Sequence, residues 1–340
     1  MPLAFPKVAV VGGAGYVGSA LVPRLLDAGY EVTVLDLFLF HPTLFADLAG
    51  RPGLRLVRAD ICDEAAVRSA LAGQDAVIHL ACISNDPGFE LDPALGKAIN
   101  FDAFPPLVRA ARDGGARRFV YASSSSVYGV REEPEVTEDT PCTPLTDYSK
   151  FKLECEHHLH RNPPAGMDWV ILRPATGCGF APRLRLDLTV NILTIHALVN
   201  RKILVFGGSQ KRPNLHVDDM ADVYLRLLDA PRSQVHGRTF NAGYQNHPVA
   251  EIAEIVRRTV GDPAITIETR PTNDLRSYHI NSDRIGRELG YVPRRGIDDA
   301  VRGLCDAFAA GRIPEPMTRE SYHNVRVLKR WYEERGKAKA

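Results

Sequence analysis

The chain has 340 residues, with 42 lysines and arginines against 41 aspartates and glutamates and a formal net charge of +1. That length holds one large or two medium domains, each with its own core. A charge so evenly balanced gives no footing for a nucleic acid, and no apolar run approaches the roughly 20 residues that span a bilayer. The densest basic stretch, Arg326 to Lys339, is diluted by Glu333 and Glu334 and reads as a solvated helix end. Met1 to Pro6 lead into "KVAVVGGAG" without the charged, apolar and small-residue regions of a signal peptide, so a cytoplasmic protein is expected. The six cysteines (Cys62, Cys82, Cys142, Cys155, Cys178, Cys305) contain no C-x-x-C pair; reduced, mostly buried thiols are expected, and no metal site.

In chain order, strands are predicted in "KVAVVGG", "EVTVLDL", "LRLVRAD", "DAVIHLA", "RRFVYAS" and "DWVILRP". Amphipathic segments such as "VGSALVPRLLDAG" and "EAAVRSALAG" separate them, each closing on a glycine as helix C-termini often do. The strands read apolar throughout rather than alternating, which suits a parallel sheet covered on both faces. The fold class is therefore α/β, a doubly wound parallel sheet over residues 1–180. Beyond Pro182 helices are predicted in "LDLTVNILTIHALVN", "VDDMADVYLRLLDA", "EIAEIVRRTVG", "DRIGRELG" and "DDAVRGLCDAFAAG", with strands in "KILVFGG" and "AITIET". Residues 181–315 thus read mostly as a smaller C-terminal α/β unit, and 316–340 as a tail or helix. Within 214–245, "GRTFNAG" is a candidate for a late return to the large sheet.

The first strand ends in Gly12-Gly13-Ala14-Gly15-Tyr16-Val17-Gly18. Glycines at 12, 15 and 18 let the backbone turn tightly and approach a pyrophosphate that rests on the next helix N-terminus. Asp36 closes the second strand, 18 residues after Gly18, and is followed by Leu37, Phe38 and Leu39 rather than an arginine. Its carboxylate suits the ribose hydroxyls of NAD and would repel the 2′-phosphate of NADP. Tyr16 and Val17 belong to the same turn. Asp60 and Ile61, ending the third strand, fall where adenine is expected, although Asp60 reads equally well as a turn or N-cap aspartate. Leu80 and Ala81, after the fourth strand, complete the cofactor-binding candidates.

The fifth predicted strand runs into "YASSSSVYG", and "TDYSKFKLECE" follows. Tyr148 and Lys152 are four apart at the start of a helical pattern and so share a face. An ammonium beside a phenol favours phenolate, and an oxidised nicotinamide would add to that, making the tyrosine a base near neutral pH. A strand-end serine then shares the proton of the substrate oxygen.

Together "GGAGYVG", "DAVIHLA", "INFDAF", "YASSSSVYG", "YSKFKLECE", "ILRPATGCG", "FGGSQKRPNLHVDDMA" and "SYHINSDRIGRELGYVP" resemble the extended short-chain dehydrogenase/reductases that modify nucleotide sugars. The resemblance covers nearly the whole chain and implies a Rossmann-type NAD domain with a smaller substrate-binding domain. It implies Ser124 as the catalytic serine, three residues before Val127, with Tyr148 as base and Lys152 holding the ribose hydroxyls. Ser123 would lie nearer the nicotinamide, with Ser125 and Ser126 facing the sugar or holding the loop. Arg212 and Arg276 match arginines that grip the substrate diphosphate, Asn191 a residue that bonds the nucleotide, and Asn100 one tied to the active-site backbone or a water. His216 is expected to pack or cap. Dehydratases of the family carry an Asp-Glu pair after the catalytic residue, because removing water needs a second acid and base; this chain has Ser125 and Ser126 there. Thr176 replaces a common asparagine, and "GCGFAPRLRLD" departs from the usual pattern, leaving Arg183 and Arg185 as contacts to phosphate or an acidic or unusual sugar, or as solvated loop residues. The expectation is an NAD-dependent nucleotide-sugar 4-epimerase, with a 4-oxidase or 4-ketoreductase next, and a 4,6-dehydratase or a noncatalytic NAD-binding protein behind. A homodimer, paired through "GKAINFDAFPPLVRAARDGG" and "YSKFKLECEHHLHR", is implied by the resemblance alone.

Overall fold

In the computed structural model, residues 3–84, 86–272 and 277–339 are described. Six strands follow one another in the first half: β1 (Lys7–Val11), β2 (Glu31–Asp36), β3 (Leu54–Arg58), β4 (Ala76–His79), β5 (Arg118–Ala122) and β6 (Asp168–Pro174). Six more come after: β7 (Thr176–Cys178), β8 (Lys202–Phe206), β9 (Lys211–His216), β10 (Arg238–Ala242), β11 (Gln245–Pro248) and β12 (Thr266–Arg270). The central sheet is parallel throughout, in the order β10-β6-β5-β4-β1-β2-β3. Strand order reverses between β4 and β1, and the crevice outside their carboxyl ends is where ligands of such sheets gather.

Apolar residues on successive positions of β1 explain why both faces are covered. Val8 and Val10 pack with Leu21 and Leu25 of the helix Tyr16–Asp27 and Val223 and Leu227 of Val217–Asp229. Ala9 and Val11 point the opposite way, toward helices Glu64–Leu71, Phe104–Asp113 and Asp147–Arg161. The stretch "GRTFNAG" supplies β10, paired parallel to β6.

A second layer holds the three-stranded sheet β11-β9-β7 and the pair β12-β8. Helices Thr189–Asn200, Val249–Val260 and Ile297–Ala309 close a third core over Ile203 and Val205. The sequence reading contains no strand at β7, β9 or β11; these are short or polar, and β9 carries Pro213.

The chain's end departs from the solvated helix expected for it. The helix Asn324–Lys339 lies against the sheet's second core, with Val327 1 % and Leu328 3 % exposed and Trp331 and Tyr332 packed beside them. Val327, Leu328, Trp331 and Tyr332 form one stripe at helical spacing. Burying a side chain such as Leu328 stabilises the docking by about 1.5–3 kcal/mol. No described helix is long and apolar enough to cross a membrane.

Candidate active site

The turn after β1 is built by two glycines the fold itself requires and one it leaves open. Gly12 has φ +83°, and a Cβ there would stand 2.4 Å from the Ala81 nitrogen; a Cβ on Gly18 would stand 2.3 Å from the Gly13 carbonyl oxygen. On Gly15 it would meet only the Gly12 carbonyl oxygen, at 3.3 Å. Gly15 also caps the helix Tyr16–Asp27 without a side chain, leaving the first amides for an anion. Asp36 is fixed by amides, its Oδ2 accepting from Ala14 at 2.9 Å and its Oδ1 from Phe38 at 2.8 Å. Burial raises its pKa against those bonds.

A cavity of about 400 Å³ runs from this turn across the ends of the strands. Every cofactor-binding candidate lines it, from Gly12, Gly15, Tyr16, Val17 and Gly18 through Asp36, Asp60, Ile61, Leu80 and Ala81 to Ser123, and so do Ser124, Ser125, Ser126, Tyr148 and Lys152. Arg212 lines a smaller neighbouring cavity of about 110 Å³ that shares Asp86, Ser126 and Tyr278 with the first. Asn191 does not line either one: it is fully buried, its Oδ1 accepts from the Gly179 amide at 2.8 Å, and its Nδ2 donates to Arg185 O at 2.9 Å and Tyr16 Oη at 3.3 Å. Its amide therefore shapes the loop after β7 instead of reaching a nucleotide. Arg276 lies outside the described residues.

At the far end of the large cavity, Thr146 and Ser149 form a capping box that starts the helix Asp147–Arg161 and sets Tyr148 and Lys152 on its inner face. Lys152 Nζ donates to Ala122 O at 2.7 Å and lies 6.0 Å from the Tyr148 ring centroid. Burial pushes the Tyr148 phenol well above its ordinary pKa, with Cys82 and Asp86 adding; a hydrogen bond from Ser124 and the Arg185 charge pull the other way. Burial thus works against the phenolate expected beside Lys152 and an oxidised nicotinamide. Ser124 caps the 3₁₀ turn Ser125–Tyr128, accepting from the Ser126 amide at 3.1 Å.

The serine loop is bolted from beneath. Ser123 Oγ donates to Glu156 Oε1, Arg173 holds Glu156 Oε2 at 2.6 Å and donates to Tyr128 Oη at 2.8 Å, and Tyr128 Oη in turn donates to Asn241 Oδ1 at 2.8 Å. Asn100, as expected, ties the backbone at the site, bonding both polar groups of Ile83 at 2.8 and 3.1 Å. His216 caps the helix Val217–Asp229 through the Asp218 amide at 3.1 Å.

Residues 8–243 match the NAD dependent epimerase/dehydratase family. The chain belongs to that family. It is 32% identical over 310 residues to a dTDP-glucose 4,6-dehydratase of Streptomyces griseus, covering 86% of this chain and 90% of the relative. It is 30% identical over 308 residues to a UDP-glucose 4-epimerase of Streptomyces lividans, covering 85% and 92%. Among solved structures it superposes at a TM-score of 0.81 and 25% identity on the dTDP-glucose 4,6-dehydratase of Streptomyces venezuelae with NAD and TYD bound, covering 91% of this chain and 99% of that one. At a TM-score of 0.76 and 25% identity it superposes on the Thermus thermophilus UDP-glucose 4-epimerase with NAD, covering 89% and 98%.

The cofactor of this epimerase/dehydratase family member is NAD, and the residues present fit it: an uncapped helix start, a glycine without a Cβ facing it, and a part-buried carboxylate at the end of β2. Neither arginine of the loop after β7 is solvated. Arg183 is 2 % exposed, lies 4.1 Å over the Phe40 ring and bonds Asn324, and burial lowers its pKa to about 9. Arg185 forks onto Asp187 at 2.9 and 3.1 Å and reaches Ser84 Oγ at 3.1 Å. Asp60 serves its turn through the Cys62 amide at 3.0 Å, lines the cavity, and pairs with Arg335 at 3.0 Å. Asp86, Asp187, Asn324, Leu328 and Trp331 also line the large cavity and were missed by the sequence reading. The Arg-x-Asp spacing of Arg185 and Asp187 and the stripe of the last helix were the signals available.

Proposed function

We propose that the protein is an NAD-dependent nucleotide-sugar epimerase that inverts C4 through a transient 4-keto sugar. One observation carries the choice: the wall of the cavity beside Ser124 and Tyr148 presents the hydroxyls of Ser125 and Ser126, where a dehydratase needs an acid and a base. Glu132 and Glu133, the carboxylates nearest in sequence, lie on the exposed loop beyond, Glu133 paired with Arg131 at 3.2 Å.

NAD, when bound, takes up and returns the hydride at C4. Tyr148 removes the proton from the C4 hydroxyl as that hydride leaves and gives it back after the ketosugar has turned over. Ser124 bridges the tyrosine and the sugar oxygen. Lys152 uses one proton on Ala122 O and keeps two for the ribose hydroxyls and the tyrosine's field. Arg212 grips the diphosphate from the adjoining cavity, with Arg276 as its proposed companion. A homodimer through the helices Phe104–Asp113 and Asp147–Arg161 completes this reading, and sedimentation would show a single species of twice the chain mass.

Asp86 favours a second reading, a 4,6-dehydratase, because it is a carboxylate at the junction of both cavities and within the electrostatic reach of Tyr148. It is a single acid, however, since Asp187, another carboxylate lining the cavity, is locked by the Arg185 fork. Incubating the purified protein with UDP-, GDP-, CDP- and dTDP-sugars and following the products by NMR separates the readings. Hexuronic acids belong in the panel because Arg185 lies beside Tyr148. A C4 epimer without added cofactor is expected; a 4-keto-6-deoxy sugar, or net NADH, overturns the proposal.

A further inference from the structure

One wall of the dinucleotide cavity comes from no part of the doubly wound sheet. Asn324, Leu328 and Trp331, one face of the last helix at i, i+4 and i+7, line it. The helix is stitched to the loops at the strand ends along its length. Asn324 donates to Ser84 Oγ at 3.0 Å after β4 and accepts from Arg183, whose guanidinium covers Phe40 after β2. Tyr332 Oη reaches Gly88 O at 3.4 Å, and Arg335 pairs with Asp60 after β3 at 3.0 Å while lying 4.8 Å over the Trp331 ring. Arg183 supplies an independent sign of a ligand. It is 2 % exposed, its charge is felt at Asp36, and its buried Nε has no acceptor among the described residues.

We propose that the helix Asn324–Lys339 is a built part of the cofactor site, clamping the adenosine diphosphate half of NAD. Trp331 and Leu328 are the outer wall against the adenine, opposite Ile61. An indole offers any base a face to stack on, and its large apolar area is costly to leave in water. The Arg335–Asp60 pair is the latch that holds the wall shut, and Arg183, oriented by Asn324, sets its charge beside the ribose and diphosphate oxygens. Release of the cofactor then requires the helix to lift, breaking the latch and exposing Val327 and Leu328. The proposal rests on NAD as the cofactor and is indifferent to whether the sugar is epimerised or dehydrated.

The chain has two tryptophans, so Trp169→Phe leaves Trp331 as the sole emitter. Titrating ADP-ribose into this full-length protein, depleted of nucleotide, is expected to quench Trp331 emission saturably, whereas nicotinamide mononucleotide leaves it unchanged. ADP-ribose binding seen by calorimetry without any change in emission would overturn the clamp. Separately, Trp331→Ala and Arg335→Glu are expected to raise the Kd for ADP-ribose by about tenfold or more, the loss typical of truncating a buried aromatic or latch residue at a binding site. Arg330→Ala, on the exposed face and paired with Glu320, serves as the control and is expected to leave Kd unchanged. An unaltered Kd in Trp331→Ala contradicts the proposal, and the emission titration decides it even if that variant folds poorly.

Discussion

On the proposed reading Tyr148 is a base, and its own surroundings hold its pKa well above the ordinary value. Burial outweighs the Ser124 hydrogen bond and the Arg185 charge, so its conjugate base is populated only as pH rises or as further positive charge arrives beside it. The acid limb of the kcat/KM profile therefore climbs with pH, and Arg185→Met, which removes a cation that lowers the phenol's pKa, moves that limb to higher pH. Tyr148→Phe is expected to lower kcat by about 10²–10⁴-fold while NAD binding, measured by calorimetry, persists. The shared face of Tyr148 and Lys152 was legible from the helical i, i+4 rule, whereas Ser124 was singled out from its neighbours only by the family resemblance. The orientation of Asn191 was not, since nothing in "DLTVN" says that its amide will be consumed by Gly179, Arg185 and Tyr16.

Between residue and fold stand the elements that hold the serine loop. Glu156, 1 % exposed on the helix Asp147–Arg161, receives Ser123 and the Arg173 fork of β6. Glu156→Ala leaves the Arg173 guanidinium buried and unpaired, a loss of roughly 3–5 kcal/mol by the cost of breaking such pairs. Urea unfolding should show that loss, while Glu156→Gln, which keeps an acceptor for Ser123, should lose less. Strands β1 to β6 could be read from their β-branched apolar runs, which few other structures tolerate. β7, β9 and β11 could not, because their pairing is decided by partners far along the chain and not by their own polar residues. The same distance hid the burial of Arg183 and Arg185, whose partners Asn324 and Ser84 are 141 and 101 residues away. The apolar stripe of the last helix was present in the sequence, but the charges around it suggested water rather than a docking face.

At the scale of the whole molecule, the sheet's core carries a titrating group. His79 ends β4 among Phe104, Phe119 and Tyr121, with ring centroids 5.6, 6.3 and 5.9 Å away. Burial, and after it the Lys152 charge, lowers its pKa from 6.5 to about 3. The unfolded chain therefore binds a proton there that the folded protein refuses. The stability this site contributes is complete above about pH 6.5 and is lost as pH falls toward 3, with a slope of up to about 1.4 kcal/mol per pH unit. His79→Phe, measured by urea unfolding between pH 7.5 and 5, should flatten the decline by up to one proton's worth; an unchanged slope would assign the acid sensitivity elsewhere.

The central claim, C4 inversion without loss of water or exchange of the migrating hydrogen, is tested most directly by running the reaction in deuterium oxide and weighing the product sugar. The account predicts a C4 epimer of unchanged mass once exchangeable protons are returned, because the hydrogen that leaves C4 comes back to C4. A product lighter by one water, or one carrying solvent deuterium on carbon, would contradict it.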